Sequence, residues 1–571
     1  MFCCLHQRQI QPSVYSGGVY KHLTKWIFRI CLRGDCVGQD AGCSALRLML
    51  ETRCRPITTR LDRAMEPEAF LEDVSIYTVF LALLVLPLTW LVIKHRRTNS
   101  EGPTYTLPPG PRRWPLLGNI PGMMMAGDSS KYMSDLVSQY GPIFTLYMGP
   151  RPVVVLNKYH SMKKLLLDGH LLSDRGALPA LEDYFKGRGV IGSHYTAYWK
   201  KTRNFVIHSL RHFGVERQSF EGVIASEADN LIKGLRERGT LDPLMNLQSC
   251  TCNVICGVVF GKQYTLDDPR FVDLLDTLYI SLRAIEYAAV SSLVPGLHYL
   301  PGCSYQKFYG HMDKLIQFFR EEIDARDQKS DPDYPRDLID MYLSEINRTT
   351  PEDPTYGLFS KTNLQFVVND LFMAGTETLA TTLYWMILLL GSHPSIQEKL
   401  HKEMDDVTYE CDHVTMADGA SMPYTKATID ECLRYASVAI SSMRSTTSAV
   451  TIDNYHLEVG TWIMLNYEYS SFDPECWPEP RKFKPERFLD EHGQYCPDEH
   501  LISFSLGKRN CIGEKLGRME LFLFFANIVK NFELVFPDDA PHPNLEAVPG
   551  GMVRTPHRYR VSFKDRKASG T

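Results

Sequence analysis

Apolar residues are distributed along this chain in two ways, as one uninterrupted run near the start and as periodic patterns farther on. The run covers the twenty residues 74–93 and contains no charged side chain. A helix of that length spans about 30 Å, the thickness of the hydrocarbon layer of a bilayer. Acidic residues precede the run and Lys94, Arg96 and Arg97 follow it, and a basic flank favours the cytosolic side. The pattern predicts a single N-terminal transmembrane helix; a buried core helix is the alternative.

Periodic patterns in the rest of the chain predict a helix-rich body with a small β component. Helical spacing of apolar residues predominates from about residue 160 to 450. Two longer helices are predicted over 364–390 and 512–531. Alternating β-branched residues predict a hairpin over 143–156, strands over 453–464 and 549–563, and an ordered proline-rich loop over 474–487. The predicted fold class is therefore mainly α with a minor β part.

These patterns divide the chain into four parts. Residues 1–64 contain six cysteines and more basic than acidic residues. Because Met65 would make a natural start, we interpret 1–64 as a variant leader or a consequence of start-site choice, with a mitochondrial transit peptide as the weaker alternative. The anchor at 74–93 is followed by a polar linker at 94–106. A proline-rich elbow then opens one large domain, residues 107–565.

Composition excludes several classes of function. The 571 residues carry a net charge of −5, with acidic and basic residues intermixed, so no nucleic-acid partner is expected. The chain has 15 cysteines, but none form a C-x-x-C pair, which argues against a zinc ribbon or a thioredoxin-like centre.

The segment from Phe504 to Gly513 carries the most specific chemistry. Gly507 permits a turn that residues with a Cβ resist. Cys511 precedes a predicted helix, where free N–H groups and the helix dipole favour an anion, lower a thiol pKa and prepare it to bind a metal. Gly513 allows the backbone to approach a flat ligand closely. The segment therefore predicts a thiolate presented to a metal or cofactor.

This segment resembles the signature of the cytochrome P450 family, F-x-x-G-x-R-x-C-x-G, at all five of its fixed positions, and the resemblance covers about residues 105–565. It implies the cytochrome P450 fold and one haem b (iron protoporphyrin IX) whose iron is bound by Cys511. Trp199-x-x-x-Arg203 resembles the family motif that meets the haem propionates. By the same resemblance, the haem contacts are Cys511, Arg509, Trp199, Arg203, Arg444, Phe504 and Gly513.

Two further motifs match in the family's order. The pair Glu431-x-x-Arg434 lies on one helix face, and the resemblance joins it to Arg487, implying that the three hold the cysteine loop. The segment Ala374-Gly375-Thr376-Glu377-Thr378 lies within a predicted helix, where glycine is costly. Thr378 can bond the carbonyl of Ala374 and distort the helix. The family role implied is oxygen binding in a groove, with the Thr378 hydroxyl steadying oxygen and Glu377 delivering protons.

The resemblance implies a monooxygenase of the animal microsomal branch, which inserts one atom of O2 into a lipophilic steroid, fatty acid or xenobiotic. The chain has no flavin or nicotinamide fingerprint, so an NADPH-dependent flavin reductase is the implied electron donor. A basic docking face for it is predicted at Lys200, Lys201, Lys508 and Lys515, although these lysines are equally consistent with a solvated surface. The implied location is the endoplasmic reticulum membrane, in contact with lipid, with the catalytic domain facing the cytosol.

Other functions remain possible at this stage. A haem-thiolate isomerase or dehydratase would rearrange peroxides without reductase, but it would have no need of Thr378 and Glu377. A non-catalytic haem carrier or gas sensor is a further alternative. Two departures leave the substrate unnamed: Leu379 replaces a common small hydroxyl residue, and the stretch after Arg434 lacks the proline that relatives often have. Side chains predicted to line the substrate cavity are Phe366, Val367, Phe372, Val438, Met443, Met552 and Val553.

Overall fold

The computed structural model describes residues 107–176, 178–215, 218–293, 304–327, 334–350, 357, 359–409, 411–549 and 552–566. By its contacts the chain divides into two units, Met1–Ser100 and Glu101–Thr571, and all described residues belong to the second. The predicted leader, transmembrane helix and linker lie outside the described residues.

Helices dominate the described part of the chain, as the periodicity predicts. They are α1 (Ile120–Ala126), α2 (Ser129–Tyr140), α3 (Tyr159–Leu167), α4 (Pro179–Phe185), α5 (Ala197–Leu210), α6 (Gln218–Arg238), α7 (Leu244–Phe260), α8 (Pro269–Ser292), α9 (Ser304–Asp327), α10 (Leu338–Arg348), α11 (Lys361–Ser392), α12 (Pro394–Thr408), α13 (Pro423–Ala436), α14 (Tyr467–Ser471) and α15 (Glu514–Asn531). A π-helical turn, Arg211–Val215, follows α5, and short 3-10 turns occupy Asp418–Ser421, Pro485–Phe488 and Gly507–Arg509.

The strands form three small sheets. They are β1 (Ile143–Met148), β2 (Arg151–Leu156), β3 (Thr240–Leu241), β4 (Ser441–Ser445), β5 (Val450–Ile452), β6 (Tyr455–Leu457), β7 (Trp462–Asn466), β8 (Phe532–Val535) and β9 (Val561–Asp565). The largest sheet has the order β1-β2-β7-β4, with β2 parallel to β7, and the others are β3-β9-β8 and β5-β6. The antiparallel β1–β2 pair confirms the predicted hairpin.

The predicted strand over 549–563 is wrong for most of its length. Within that range the regular strand begins only at Val561. Upstream of it, the chain makes isolated bridges, Ala439 with Val553 and Ala547 with Pro556. A proline has no N–H to continue a ladder, so pairing at Pro556 cannot propagate.

Helix α11 is the centre of the core and confirms the helix predicted over 364–390. The Ser360 side chain caps its start by accepting a hydrogen bond from the Asn363 N–H. Its 32 residues extend about 48 Å, and α7, buried on nearly every side, packs against it. Among the described residues, α11 is also the helix long and apolar enough to cross a membrane, but 67% of its apolar window is buried in the protein.

Candidate active site

The loop that carries Cys511 is shaped by glycine. Gly507 has φ +74°, and a Cβ there would lie 2.2 Å from the carbonyl oxygen of Leu166, so no other residue fits without moving the backbone. The N–H of Cys511 donates to the Phe504 carbonyl at 2.8 Å. Gly513 is the N-cap of α15, and no atom lies within 4 Å of its Cβ position. The loop therefore holds Cys511 at a helix start beside open space.

That open space is a cavity of about 220 Å³. Cys511 and Phe504 line it from the cysteine loop, and Ala374, Gly375 and Thr378 line it from α11. Cys511 is accessible because it faces this cavity. The structure thus brings the cysteine motif and the α11 motif to the walls of one chamber.

Helix α5 supplies a further wall. The Thr196 side chain caps the helix by accepting from the Trp199 N–H, which sets Trp199 and Arg203 one turn apart on the same face. The indole N–H of Trp199 donates to the Val190 carbonyl at 3.0 Å. An Nη of Arg203 donates to the carbonyl and side-chain oxygens of Asn510 at 2.8 and 2.6 Å, next to Cys511 in the chain.

Four arginines, Arg175, Arg203, Arg444 and Arg509, are gathered at this site without acidic partners. Among the described residues, none of them forms an ion pair with a carboxylate within 4 Å, and the Nε atoms of Arg175 and Arg444 have no hydrogen-bond partner. Burial and, to a smaller extent, the nearby Arg444 lower the pKa of Arg509 to about 9. Burial likewise lowers the pKa of the other three. Such a cluster fits an anionic ligand, because buried positive charge needs compensation.

The α11 motif divides its side chains between two faces of the helix. The Thr378 hydroxyl donates to the Ala374 carbonyl at 2.6 Å, the bond predicted from the spacing. Glu377 accepts from Gln248 Nε2 at 2.9 Å and faces a second cavity of about 180 Å³. Gly375 is explained by packing, since a Cβ there would lie 2.6 Å from Cδ1 of Ile255.

The E-x-x-R pair and Arg487 meet as predicted. Arg434 Nε and Nη2 donate to Glu431 at 2.7 and 2.8 Å, and Arg487 Nε donates to the same carboxylate at 3.3 Å. Both side chains of the pair are fully buried. Arg434 also donates to the Ser471 carbonyl at 2.8 Å. The group therefore joins α13 to the segments that precede the cysteine loop.

Of the side chains predicted to line the substrate cavity, Val367 on α11 lies in the wall of the Cys511 cavity, and the other six do not. Phe366 packs on Tyr184 and Phe185, and Phe372 lies between aromatic rings of α7 and α9. Val438 and Met443 belong to the segment around β4, Val553 packs on the core, and Met552 is 49% exposed. Their contact with substrate stays a prediction.

Three charged cavity residues were missed by sequence reasoning: Arg175, Asp370 and Glu520. Asp370 Oδ2 accepts from the N–H groups of Val190 and Ile191 at 2.6 and 2.9 Å. Burial raises the pKa of Asp370 to about 6, although the two N–H donors and Arg175 each lower it.

Glu520, on α15, is fully buried, and neither of its carboxyl oxygens has a hydrogen-bond partner among the described residues. Burial raises its pKa well above the ordinary value. Charged residues in otherwise apolar helical segments were the available signal for Asp370 and Glu520, since such residues are rarely buried without a reason.

The donor set fits haem b. Cys511 offers sulfur, the open space before Gly513 admits a flat ring, and the partnerless guanidinium atoms suit its two propionates. Burial raises the pKa of the Cys511 thiol, while the Gly513 N–H and Arg203 lower it. The predicted effect of the helix start is present in the Gly513 N–H, but the predicted lowering of the thiol pKa is wrong because burial outweighs it. A bound metal cation deprotonates a coordinating thiol outright.

The fold and the site define the class of a haem-thiolate protein, and comparisons with known proteins agree. The family model described as cytochrome P450 matches residues 108–563. The chain is 34% identical over 480 residues to cytochrome P450 2C16 of Oryctolagus cuniculus, covering 83% of this chain and 96% of that relative. It is 33% identical to cytochrome P450 2C5 of the same species over 500 residues, 86% and 99% of the two chains, and to cytochrome P450 2C44 of Mus musculus over 507 residues, 87% and 100%.

The chain belongs to the cytochrome P450 family, and within it to the animal microsomal branch that contains these relatives. It is accordingly a monooxygenase that binds haem b.

Proposed function

We propose that this monooxygenase inserts one atom of O2 into a lipophilic small molecule, a steroid, fatty acid or xenobiotic, with electrons from an NADPH-dependent flavin reductase. The observation that carries this proposal is that Cys511 and Thr378 line the same cavity. Apolar side chains form much of the remaining wall, including Val190, Ile255 and Leu371, and such walls favour apolar ligands.

The chain's own residues have separate tasks in this proposal. When bound, haem supplies oxygen activation, and a thiolate ligand promotes O–O cleavage. Cys511 would hold the iron, supported by the Gly513 N–H. The arginine cluster with Trp199 would hold the propionates. Within the cluster, Arg444 Nη2 donates to the Arg509 carbonyl at 3.4 Å.

Proton handling would fall to α11. The Thr378 hydroxyl is placed in the cavity wall, and its neighbour Glu377 faces the second cavity beyond the helix. Gly375 and Ala374 would leave room beside Thr378, because neither has a side chain beyond Cβ. Glu431, Arg434 and Arg487 would act structurally by holding the segments before the cysteine loop.

The reductase would dock on the cysteine side of the protein. Lys200, Lys508 and Lys515 are exposed and Lys201 is half-buried, so the first three are open to an acidic partner. We further propose the domain organisation predicted from the sequence: a leader over 1–64, an anchor over 74–93, a linker over 94–106 and a catalytic domain over 107–565. Its location would be the endoplasmic reticulum membrane, with the catalytic domain in the cytosol.

The test is the carbon monoxide difference spectrum of the reduced protein, followed by turnover. Wild type should show the strongly red-shifted Soret band of a thiolate-bound haem, and Cys511→Ala should lose it. Cys496→Ala makes the same change at another exposed cysteine and should keep the band. A histidine-type band in the wild type would contradict the proposed ligand.

Turnover separates the proposed function from its alternative. With reductase, NADPH and ¹⁸O2, one labelled oxygen should appear in the product of a lipophilic substrate such as lauric acid. Product from an organic peroxide without NADPH, together with no NADPH-dependent product, would favour an isomerase or dehydratase.

A further inference from the structure

Arg554 is a buried arginine in the C-terminal tail that the proposed function does not use. It is 6% exposed, and it contacts the stretch that follows α13. One Nη donates to the carbonyls of Tyr435 and Ala436 at 2.6 and 2.9 Å, and its backbone N–H donates to the Val438 carbonyl at 2.8 Å. The last carbonyls of a helix have no partner within the helix, so a distant arginine here satisfies the end of α13.

The same arginine is also held by three further residues, Trp385, Glu468 and Phe472. Its carbonyl accepts from the indole N–H of Trp385 on α11 at 2.9 Å. Its Nε lies 3.1 Å from the carboxylate of Glu468 on α14, and both side chains are largely buried. The guanidinium also lies over the rings of Trp385 and Phe472, 4.8 and 5.2 Å from their centres. A guanidinium so enclosed has a fixed position.

The stretch 437–440, which Arg554 contacts, contains no residue that restricts its backbone conformation. The C-cap of α13 is Ser437, a residue other than glycine with φ +37°, and Val438 and Ala439 follow it without a proline to restrict the backbone. Three tethers hold the stretch instead: the Arg554 bonds, the bridge of Ala439 with Val553, and the bond from the Glu468 N–H to the Ile440 carbonyl at 3.1 Å.

The stretch leads directly to the haem side of the site. It continues into β4, whose Arg444 lies in the arginine cluster. Its own Val438 and the tail's Met552 and Val553 are also among the predicted substrate contacts. The Met443 carbonyl of β4 accepts from Arg175 Nη1 at 3.3 Å, and Arg175 lines the cavity. The joint between the stretch 437–440 and the tail 552–555 is therefore connected to the cavity wall through β4.

We propose that Arg554, paired with Glu468, is a positioning residue that determines substrate selectivity by fixing this joint. The proposal rests on the proposed function, because selectivity has meaning only for a cavity that accepts substrates. Buried ion pairs contribute little net stability, and replacing one with apolar residues is often neutral. A purely structural pair could therefore be replaced without effect on ligand choice, whereas a positioning pair could not.

The experiment compares Arg554→Met, Arg554→Lys and the double variant Arg554→Met with Glu468→Leu. Arg558→Met is the matched control, since Arg558 lies in the same tail but is 64% exposed. The carbon monoxide band and thermal unfolding report folding. Two probes report the cavity: the ratio of affinities for 4-phenylimidazole and imidazole, followed by the Soret shift, and the positions at which lauric acid is hydroxylated.

The double variant decides the question. We expect it to keep the carbon monoxide band and a single cooperative unfolding transition, at a lower temperature than wild type because the Tyr435 and Ala436 carbonyls lose their donor. It should also change the affinity ratio about tenfold and shift the hydroxylation position. Arg554→Lys should lie between it and wild type. If Arg554→Met alone does not fold, the double variant and Arg554→Lys still test the role of Arg554.

Wild-type affinity ratio and product positions in the folded double variant would overturn the role of Arg554. A wild-type protein that binds neither imidazole nor carbon monoxide would instead overturn the proposed function, so the two failures are distinguishable.

Discussion

The guanidinium carbon of Arg509 lies 3.8 Å from the centre of the Trp199 ring. The two residues come from different motifs and different segments of the chain, yet they stack directly at the cavity wall. Arg509 also donates to the carbonyls of Ser173, Val190 and Ser193 at 2.7, 3.2 and 2.6 Å. The planar guanidinium of Arg509 thus joins α5 to the loops that contain residues 173, 190 and 193.

Replacing Arg509 with lysine should lower haem retention while keeping the positive charge. A lysine ammonium cannot reproduce the planar fork that reaches three carbonyls, nor stack on Trp199 as guanidinium does. We expect the haem-to-protein ratio of purified Arg509→Lys to fall severalfold, measured by the pyridine haemochrome assay. Arg558→Lys, in the exposed tail, is the control, and equal haem content in the two variants would contradict the expectation.

Motifs that lie within a few residues of one another were predictable in detail. Glu431 and Arg434 meet because i and i+3 share a helix face, and Thr378 bonds Ala374 because i and i+4 do. That Cys511 and Thr378 would line one cavity followed from the family resemblance. No periodicity or spacing relates two residues so far apart.

Features that depend on tertiary packing were not predictable. Asp370 accepts hydrogen bonds from the backbone N–H groups of residues 190 and 191. The sequence does not indicate which backbone groups will donate to a distant side chain. Gly375 is needed because Ile255 of α7 packs against it. The thiol pKa of Cys511 was misjudged because burial, which sequence does not show, outweighs the helix start.

Glu431→Gln should destabilise the fold strongly. The carboxylate accepts from Arg434, from Arg487 and from the Lys484 N–H, and the glutamine would leave a fully buried Arg434 without its counter-charge. Breaking a buried pair in this way costs about 3–5 kcal/mol. Urea unfolding followed by circular dichroism would measure it, with the solvent-exposed Glu479→Gln as control. A loss of stability similar to that of the control would show that the carbonyls that accept from Arg434, including that of Ser471, are enough to stabilise its buried charge.

Thr378→Val should uncouple NADPH consumption from product formation. The substitution keeps the volume but removes the hydroxyl from the cavity wall. We expect about tenfold less product per NADPH, with more hydrogen peroxide, because a general acid contributes roughly 10²–10⁴-fold when fully engaged. Thr382→Val removes the equivalent bond one turn later, from Thr382 to the Thr378 carbonyl, without altering the cavity wall. If both variants form the same amount of product per NADPH, the Thr378 hydroxyl takes no part in proton transfer.

Asp370 should make stability depend on pH in a direction opposite to that of most carboxylates. Burial raises its pKa from 3.8 to about 6 in the folded protein, so folding favours the protonated form. Its contribution to stability is therefore greatest below the unfolded pKa and is lost as pH rises through about 6, a difference of ~3 kcal/mol.

Asp370→Asn removes this titration while keeping an oxygen that can accept from Val190 and Ile191. Above about pH 7 the variant should unfold at higher urea concentration than wild type, and the difference should shrink as pH falls from about 6 towards 4. Asp370→Ala is the companion variant, since it loses both hydrogen bonds and should be less stable than Asp370→Asn at every pH. A pH-independent difference between wild type and Asp370→Asn would mean that Arg175 and the two N–H donors already keep the carboxylate ionised, and that its pKa is not raised.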